Sequence, residues 1–98
     1  MQIELSERFI AQLQILLEFI AKDSLENALK FERELLAQIE NLISMPRKYR
    51  QSIHFSNPNI RDFIFKGYVI PYLIDSPNNK LVILGIRKWN LWNPSDKV

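Results

Sequence analysis

The stretch Arg61-Asp62-Phe63-Ile64-Phe65-Lys66-Gly67-Tyr68-Val69-Ile70-Pro71-Tyr72-Leu73-Ile74 constrains this chain more than any other. β-Branched and aromatic residues fill both arms, and the glycine offers the positive φ that a tight reversal needs. The stretch therefore predicts two antiparallel strands folded back at Lys66-Gly67. Pro71 has no N–H to give to a ladder, so its strand should lie at an edge there or carry a bulge. Ser76-Pro77-Asn78-Asn79 predicts a second turn, in which the asparagines can supply left-handed conformations. Leu81-Val82-Ile83-Leu84-Gly85-Ile86 then reads as a nearly continuous apolar strand with a central place in the sheet.

The chain before this meander is mostly helical in pattern. Gln2, Ile3, Glu4 and Leu5 alternate polar and apolar, as a short half-buried strand does, and Ser6 is placed to cap a helix. Phe9, Ile10, Leu13, Leu16, Leu17 and Ile20 form an amphipathic face running to about Ala21. Asp23, with Glu26 three residues later, has the spacing of a capping box, which predicts a tight helical hairpin. The second helix is expected from about Leu25 to Ser44, with Pro46 ending it. Ala28, Phe31, Leu35, Ile39 and Leu42 make one seam on it, and Leu25, Leu29, Leu36 and Ile43 a second, which predicts cover on more than one side. A loop with turn residues, through His54 and Asn57-Pro58-Asn59, leads into the meander. The expected core includes Leu13, Leu17, Leu35, Ile39, Ile64, Ile83 and Ile86.

The chain has 98 residues, which suits one α+β domain over residues 1–98: an N-terminal strand, a two-helix antiparallel hairpin and a three-stranded antiparallel meander packed on the helices. It has no cysteine and one histidine, which removes disulfide frameworks and thiolate zinc sites and leaves no expected metal or cofactor. The N-terminus lacks the pattern of a signal peptide and no long apolar run exists, so no membrane association and a cytoplasmic location are the expectation. Charge is uneven. Residues 1–45 carry 4 Lys/Arg against 8 Asp/Glu, a net of −4, and residues 46–98 carry 9 against 3, a net of +6. The basic half suits an acidic partner or nucleic acid, and equally an ordinary solvated surface.

The order of these elements resembles the RelE/ParE superfamily of bacterial type II toxins over almost the whole chain. The resemblance is carried by Glu18 to Ser24 at the tail of helix one, Ala28 to Phe31 opening helix two, and Leu42 to Pro46 closing it. It continues with Ile60-Arg61 leading into Lys66-Gly67-Tyr68-Val69-Ile70-Pro71-Tyr72. It implies a toxin held silent by a cognate antitoxin, with two activities open. RelE-like toxins cut messenger RNA in the ribosome, whereas ParE-like toxins, associated with plasmid stabilisation, inhibit DNA gyrase by binding it. The RelE-like branch usually places an arginine just after the tyrosine that opens the third strand, where this chain has Val69. No catalytic tyrosine follows the last strand, where Trp89 and Trp92 stand. With the long helical hairpin, these departures place the chain closer to the ParE-like branch.

Metal-independent RNA cleavage needs a base for the 2′-OH, cations for the phosphorane, an acid for the leaving oxygen and often a stacking surface. Arg50, His54, Arg61, Arg87 and Lys88 are the candidates for such a site, with Lys48 beside them. For partner binding the candidates are Arg61, Tyr68, Arg87, Lys88, Trp89 and Trp92. Each has a plainer reading. His54 sits in a polar loop and is expected to be a solvated surface residue. Tyr68 and Tyr72 share a strand face, where packing with the hydroxyls at the rim is expected. Arg61 suits a site and a partner for a helix carboxylate equally. The two tryptophans suit core closure slightly better than a partner surface.

Overall fold

The computed structural model describes residues 1–88, and Trp89 and Trp92 lie outside the described residues. The elements are β1 (Gln2–Leu5), α1 (Glu7–Ala21), α2 (Leu25–Asn41), β2 (Ile60–Phe65), β3 (Tyr68–Asp75), β4 (Lys80–Ile83) and β5 (Arg87–Lys88). β2, β3 and β4 form the expected antiparallel meander, and β1 lies parallel to β4. The spatial order is β1-β4-β3-β2, with β5 paired to β3. The helical hairpin packs on one face of this sheet.

Local chemistry explains the turns and caps. Lys66 (φ 48°) and Gly67 (φ 83°) are both left-handed, the geometry that matches the twist of a two-residue hairpin. Ser6 caps α1, its Oγ accepting from the Phe9 N–H at 3.1 Å and donating to the Leu84 carbonyl at 3.2 Å. For α2 the cap is Ser24, which accepts from the Asn27 N–H at 3.1 Å, rather than Asp23. The regular helix stops at Asn41. Leu42, Ile43 and Ser44 donate to carbonyls three residues back and tighten the last turn before Pro46 is reached.

The run Leu81 to Ile86 is broken by a bulge. Tyr72 faces Ile83 and Val69 faces Arg87. Between those pairs β3 contributes Ile70 and Pro71, while the returning chain contributes Leu84, Gly85 and Ile86, one residue more. The irregularity foreseen at the proline is therefore present, and it lies in the facing strand. Its consequence is a change of face. Leu81 and Ile83 point to the helices, and strict alternation would send Arg87 there too. With the extra residue, Ile86 enters the core, Arg87 takes the register position opposite Val69, and Lys88 lies on the helix side, with its Nζ 5.2 Å from the Tyr68 ring centroid.

The core joins Phe9 and Leu13 of α1 to Phe31, Leu35 and Ile39 of α2 and to Phe63, Phe65, Ile70, Tyr72, Ile74, Leu81, Ile83 and Ile86 of the sheet. Of the expected core residues, Leu17 is half-buried and Ile64 is 45% exposed, because it alternates with the buried Phe63 and Phe65 and faces away from the helices. The first seam of α2 is buried throughout. The second is not covered as expected: Leu25, Leu29 and Ile43 are exposed and Leu36 is half-buried. α1 and the sheet meet α2 from the inner side and leave its outer stripe open.

Candidate functional site

The sheet presents two surfaces, and the bulge sets where Arg87 and Lys88 stand in it. On the helix side, Gln12, Ile15, Leu16 and Phe19 of α1 form one wall of a groove of about 390 Å³, and Tyr68, Ile86, Arg87 and Lys88 form the other. Ile15 is 68% exposed and Phe19 67%, a large apolar area for two side chains one helical turn apart. Tyr68 is half-buried, stands edge-on to Phe31 at 5.6 Å between ring centroids, and supports Lys88 over its face. Burial raises the Tyr68 phenol above its ordinary pKa, so it is a neutral rim group at physiological pH. The groove thus combines an apolar floor with a cationic lip.

Away from the helices the sheet carries Ile64, Val69 and Pro71, flanked by the segment that precedes β2. That segment runs along the outer edge of β2: Gln51 bridges to Arg61, Ser52 N–H donates to the Ile60 carbonyl at 2.7 Å, and Asp62 N–H donates to the Arg50 carbonyl at 3.1 Å. Arg50 is exposed, and its pairing puts it directly beside Asp62. His54 is half-buried rather than solvated, with its N–H on Ser52 Oγ at 3.2 Å. Covering the free edge of β2 is what draws this histidine inward. Asp62 is 1% exposed, and neither carboxylate oxygen has a hydrogen-bond partner among the described residues.

Arg61 is half-buried and tied to the segment after α2. Its Nη1 donates to the Tyr49 carbonyl at 3.0 Å, and across the strand pair it stands beside Tyr72, whose hydroxyl donates to the Pro46 carbonyl. The two side chains hold the segment after α2 against the sheet, so Arg61 is a fold residue and not the partner of a helix carboxylate. Lys48 lies over the Tyr49 ring at 5.5 Å in the same segment. Tyr72 is fully buried, its hydroxyl reaching the Pro46 carbonyl rather than the rim. Among the described residues, no cluster of three His, Cys, Asp or Glu side chains is placed to hold a metal ion.

The structure therefore brings Tyr68, Arg87 and Lys88 together along the groove beside α1. It places Arg50 and His54 along β2 and ties Arg61 Nη1 to the Tyr49 carbonyl. Two residues of the groove, Ile15 and Phe19, were not singled out from the sequence. Their signal was present, since both fall off the stripe made by Phe9, Leu13, Leu16, Leu17 and Ile20.

Residues 3–88 match the family described as ParE toxin of type II toxin-antitoxin system, parDE. The chain belongs to the ParE toxin family. Among solved structures, the fold is similar to a chain from the chromosomal ParDE TA system from P. aeruginosa, with a TM-score of 0.73 and 18% identity over 90% of this chain and 95% of that one. No curated protein sequence matches. Within the ParE toxin frame an antitoxin is the implied partner. No helix among the described residues is long and apolar enough to cross a membrane.

Proposed function

We propose that this ParE-family chain acts in the cytoplasm as a toxin that inhibits DNA gyrase by binding it, and that a cognate antitoxin silences it. The observation that supports a binding mode over RNA cleavage is the scatter of the cations a nuclease would need. Arg50 and His54 lie along the outer edge of β2, Arg87 and Lys88 line the groove beside α1, and Arg61 Nη1 donates to the Tyr49 carbonyl. A transition state with developing charge needs its donors gathered on one point. The helix-side groove instead has what protein recognition uses: an exposed aromatic and a branched aliphatic beside a cationic rim. An antitoxin segment suited to it carries apolar anchors for Ile15 and Phe19 and acidic residues for Lys88.

The test is controlled expression of the chain, with gyrase supercoiling and transcript integrity followed together. Loss of supercoiling with intact transcripts is expected. Trp89→Ala with Trp92→Ala is expected to relieve toxicity, and His54→Ala is not. Ile15→Ala with Phe19→Ala should weaken the antitoxin complex by about 30-fold or more, since anchors of this kind are worth roughly 2 kcal/mol or more. Cut transcripts with unaffected gyrase, abolished by His54→Ala in a folded protein, would instead favour the ribosome-dependent mRNA endonuclease.

A further inference from the structure

The outer stripe of α2 has a symmetric pattern. Leu29, Leu36 and Ile43 recur at intervals of seven residues, with Leu29 52% exposed, Leu36 half-buried and Ile43 39% exposed. A period of seven keeps apolar side chains on one slowly drifting seam, the spacing that paired helices use. Ile43 follows the regular helix in its tightened last turn, where its N–H donates to the Glu40 carbonyl at 3.3 Å. Arg33 and Glu40 flank the seam, and both are exposed. Lys30 has Glu26 and Glu34 four residues to either side, but Arg33 and Glu40 have no opposite charge three or four residues away along the helix. They stand about 10 Å apart along the axis, and neither joins the ion pairs among the described residues, Lys66–Glu34 and Lys80–Glu4. The stripe therefore carries two opposite charges, each without a partner of that kind in its own helix.

We infer that two copies of this chain pair through this face, with their α2 helices antiparallel about a two-fold axis at Leu36. Rotation about that axis sets Leu36 against Leu36 of the second copy. Leu29 and Ile43 stand at equal distances on either side, so each meets the other across the axis. The same rotation brings Arg33, three residues before the axis, to Glu40, four residues after it, and does so twice. Glu32, which interrupts the apolar seam, falls beside Asn41. A two-fold contact needs a patch that complements itself, apolar to apolar and plus to minus under one rotation, and the stripe meets that condition in this register. A partner of unrelated sequence would require no such symmetry of this chain. The face shares no residue with the groove beside α1, so the inference goes beyond the antitoxin and gyrase reading.

The experiment is sedimentation equilibrium of the purified chain over about 1–100 μM, with the fold of each variant checked by circular dichroism. A reversible monomer–dimer equilibrium is expected. Arg33→Glu alone and Glu40→Arg alone should each raise the dimer Kd by ~10-fold or more, because each creates two like-charge contacts across the axis. The two substitutions together exchange the signs and restore the complement, so the double variant should return to within ~3-fold of the natural chain. Leu29→Glu, at an exposed position, should leave a folded monomer. Three outcomes overturn the pairing: a monomer throughout the concentration range, which leaves the stripe to a different protein; a dimer that Arg33→Glu and Leu29→Glu do not weaken, which places the contact elsewhere; or a double variant no stronger than the single ones, which rejects the antiparallel register. Because association is read on the purified chain alone, the result stands apart from whether gyrase is the target.

Discussion

Substituting Gly85 tests how the bulge is held. A Cβ built at Gly85 would stand 2.8 Å from Gln12 Oε1 and 3.8 Å from its Cδ. That same Oε1 accepts the Ile86 N–H at 2.9 Å. Ala at this position therefore meets the far end of a flexible side chain, which swings aside and gives up its hydrogen bond. The lost bond costs about 0.5–1.5 kcal/mol, and more, about 1–3 kcal/mol, where the partly buried N–H is left without a replacement. Against this stands the reduced freedom of the unfolded chain, worth about 0.4–1 kcal/mol in favour of Ala where the backbone accepts it. The net expectation for Gly85→Ala is a loss of about 1 kcal/mol, or roughly 4–8 °C in Tm for a domain of this size. In a Gln12→Ala background the obstruction and the bond are both already gone, so the same substitution should be neutral or slightly stabilising. Urea unfolding of the four proteins of this cycle reads the difference directly as a coupling energy. An equal cost for Gly85→Ala in both backgrounds would refute the account, because the glycine would then be needed for its backbone and not for the room it gives Gln12.

Two further outcomes are expected. Leu35→Ala, at a side chain with no exposure, should cost about 2–5 kcal/mol in urea unfolding, whereas Ile64→Ala, on the open face, should stay within about 0.5 kcal/mol. Burial pushes the Tyr72 phenol up to about 12, with Arg61 opposing the shift. A phenol raised above its ordinary value near 10 contributes stability that is complete below pH 10 and is lost as the pH climbs toward 12. Tm measured between pH 9 and 12 should accordingly fall less steeply in Tyr72→Phe than in the natural chain.

What could be read from the sequence was what depends on neighbours in the chain. Lys66-Gly67 declares its turn by glycine chemistry, and Ser6 caps α1 through a backbone N–H only three residues away. Phe9 and Leu13 announce the inner face of α1 by their spacing. The bulge is different. Pro71 warned of an irregularity, but its place at Leu84 to Ile86 is supported by Gln12, 74 residues distant from Ile86, and no local pattern contains that hydrogen bond. Since the bulge sets which way Arg87 and Lys88 point, the grouping of the basic residues was out of reach for the same reason. Arg61 was equally opaque, because its partner is a backbone carbonyl and a carbonyl leaves no mark in a sequence.

The outer stripe of α2 shows how periodicity can mislead. Apolar residues at helical spacing indicate a face that is covered by something, and the natural assumption is cover from within the fold. Here Leu25, Leu29, Ile15 and Phe19 are exposed. Each forgoes part of the roughly 1.5–3 kcal/mol that full burial of such a side chain supplies. A folded chain carries that deficit only if the rest of its core suffices, as the fully buried Phe9, Leu35, Ile70, Tyr72, Leu81 and Ile83 allow. Any partner that covers the open stripe recovers part of the burial as binding free energy and adds to the apparent stability of the folded chain as RT ln(1 + [L]/Kd). The same residues that leave the isolated chain less stable than it could be are thus the ones that make capture by a partner favourable.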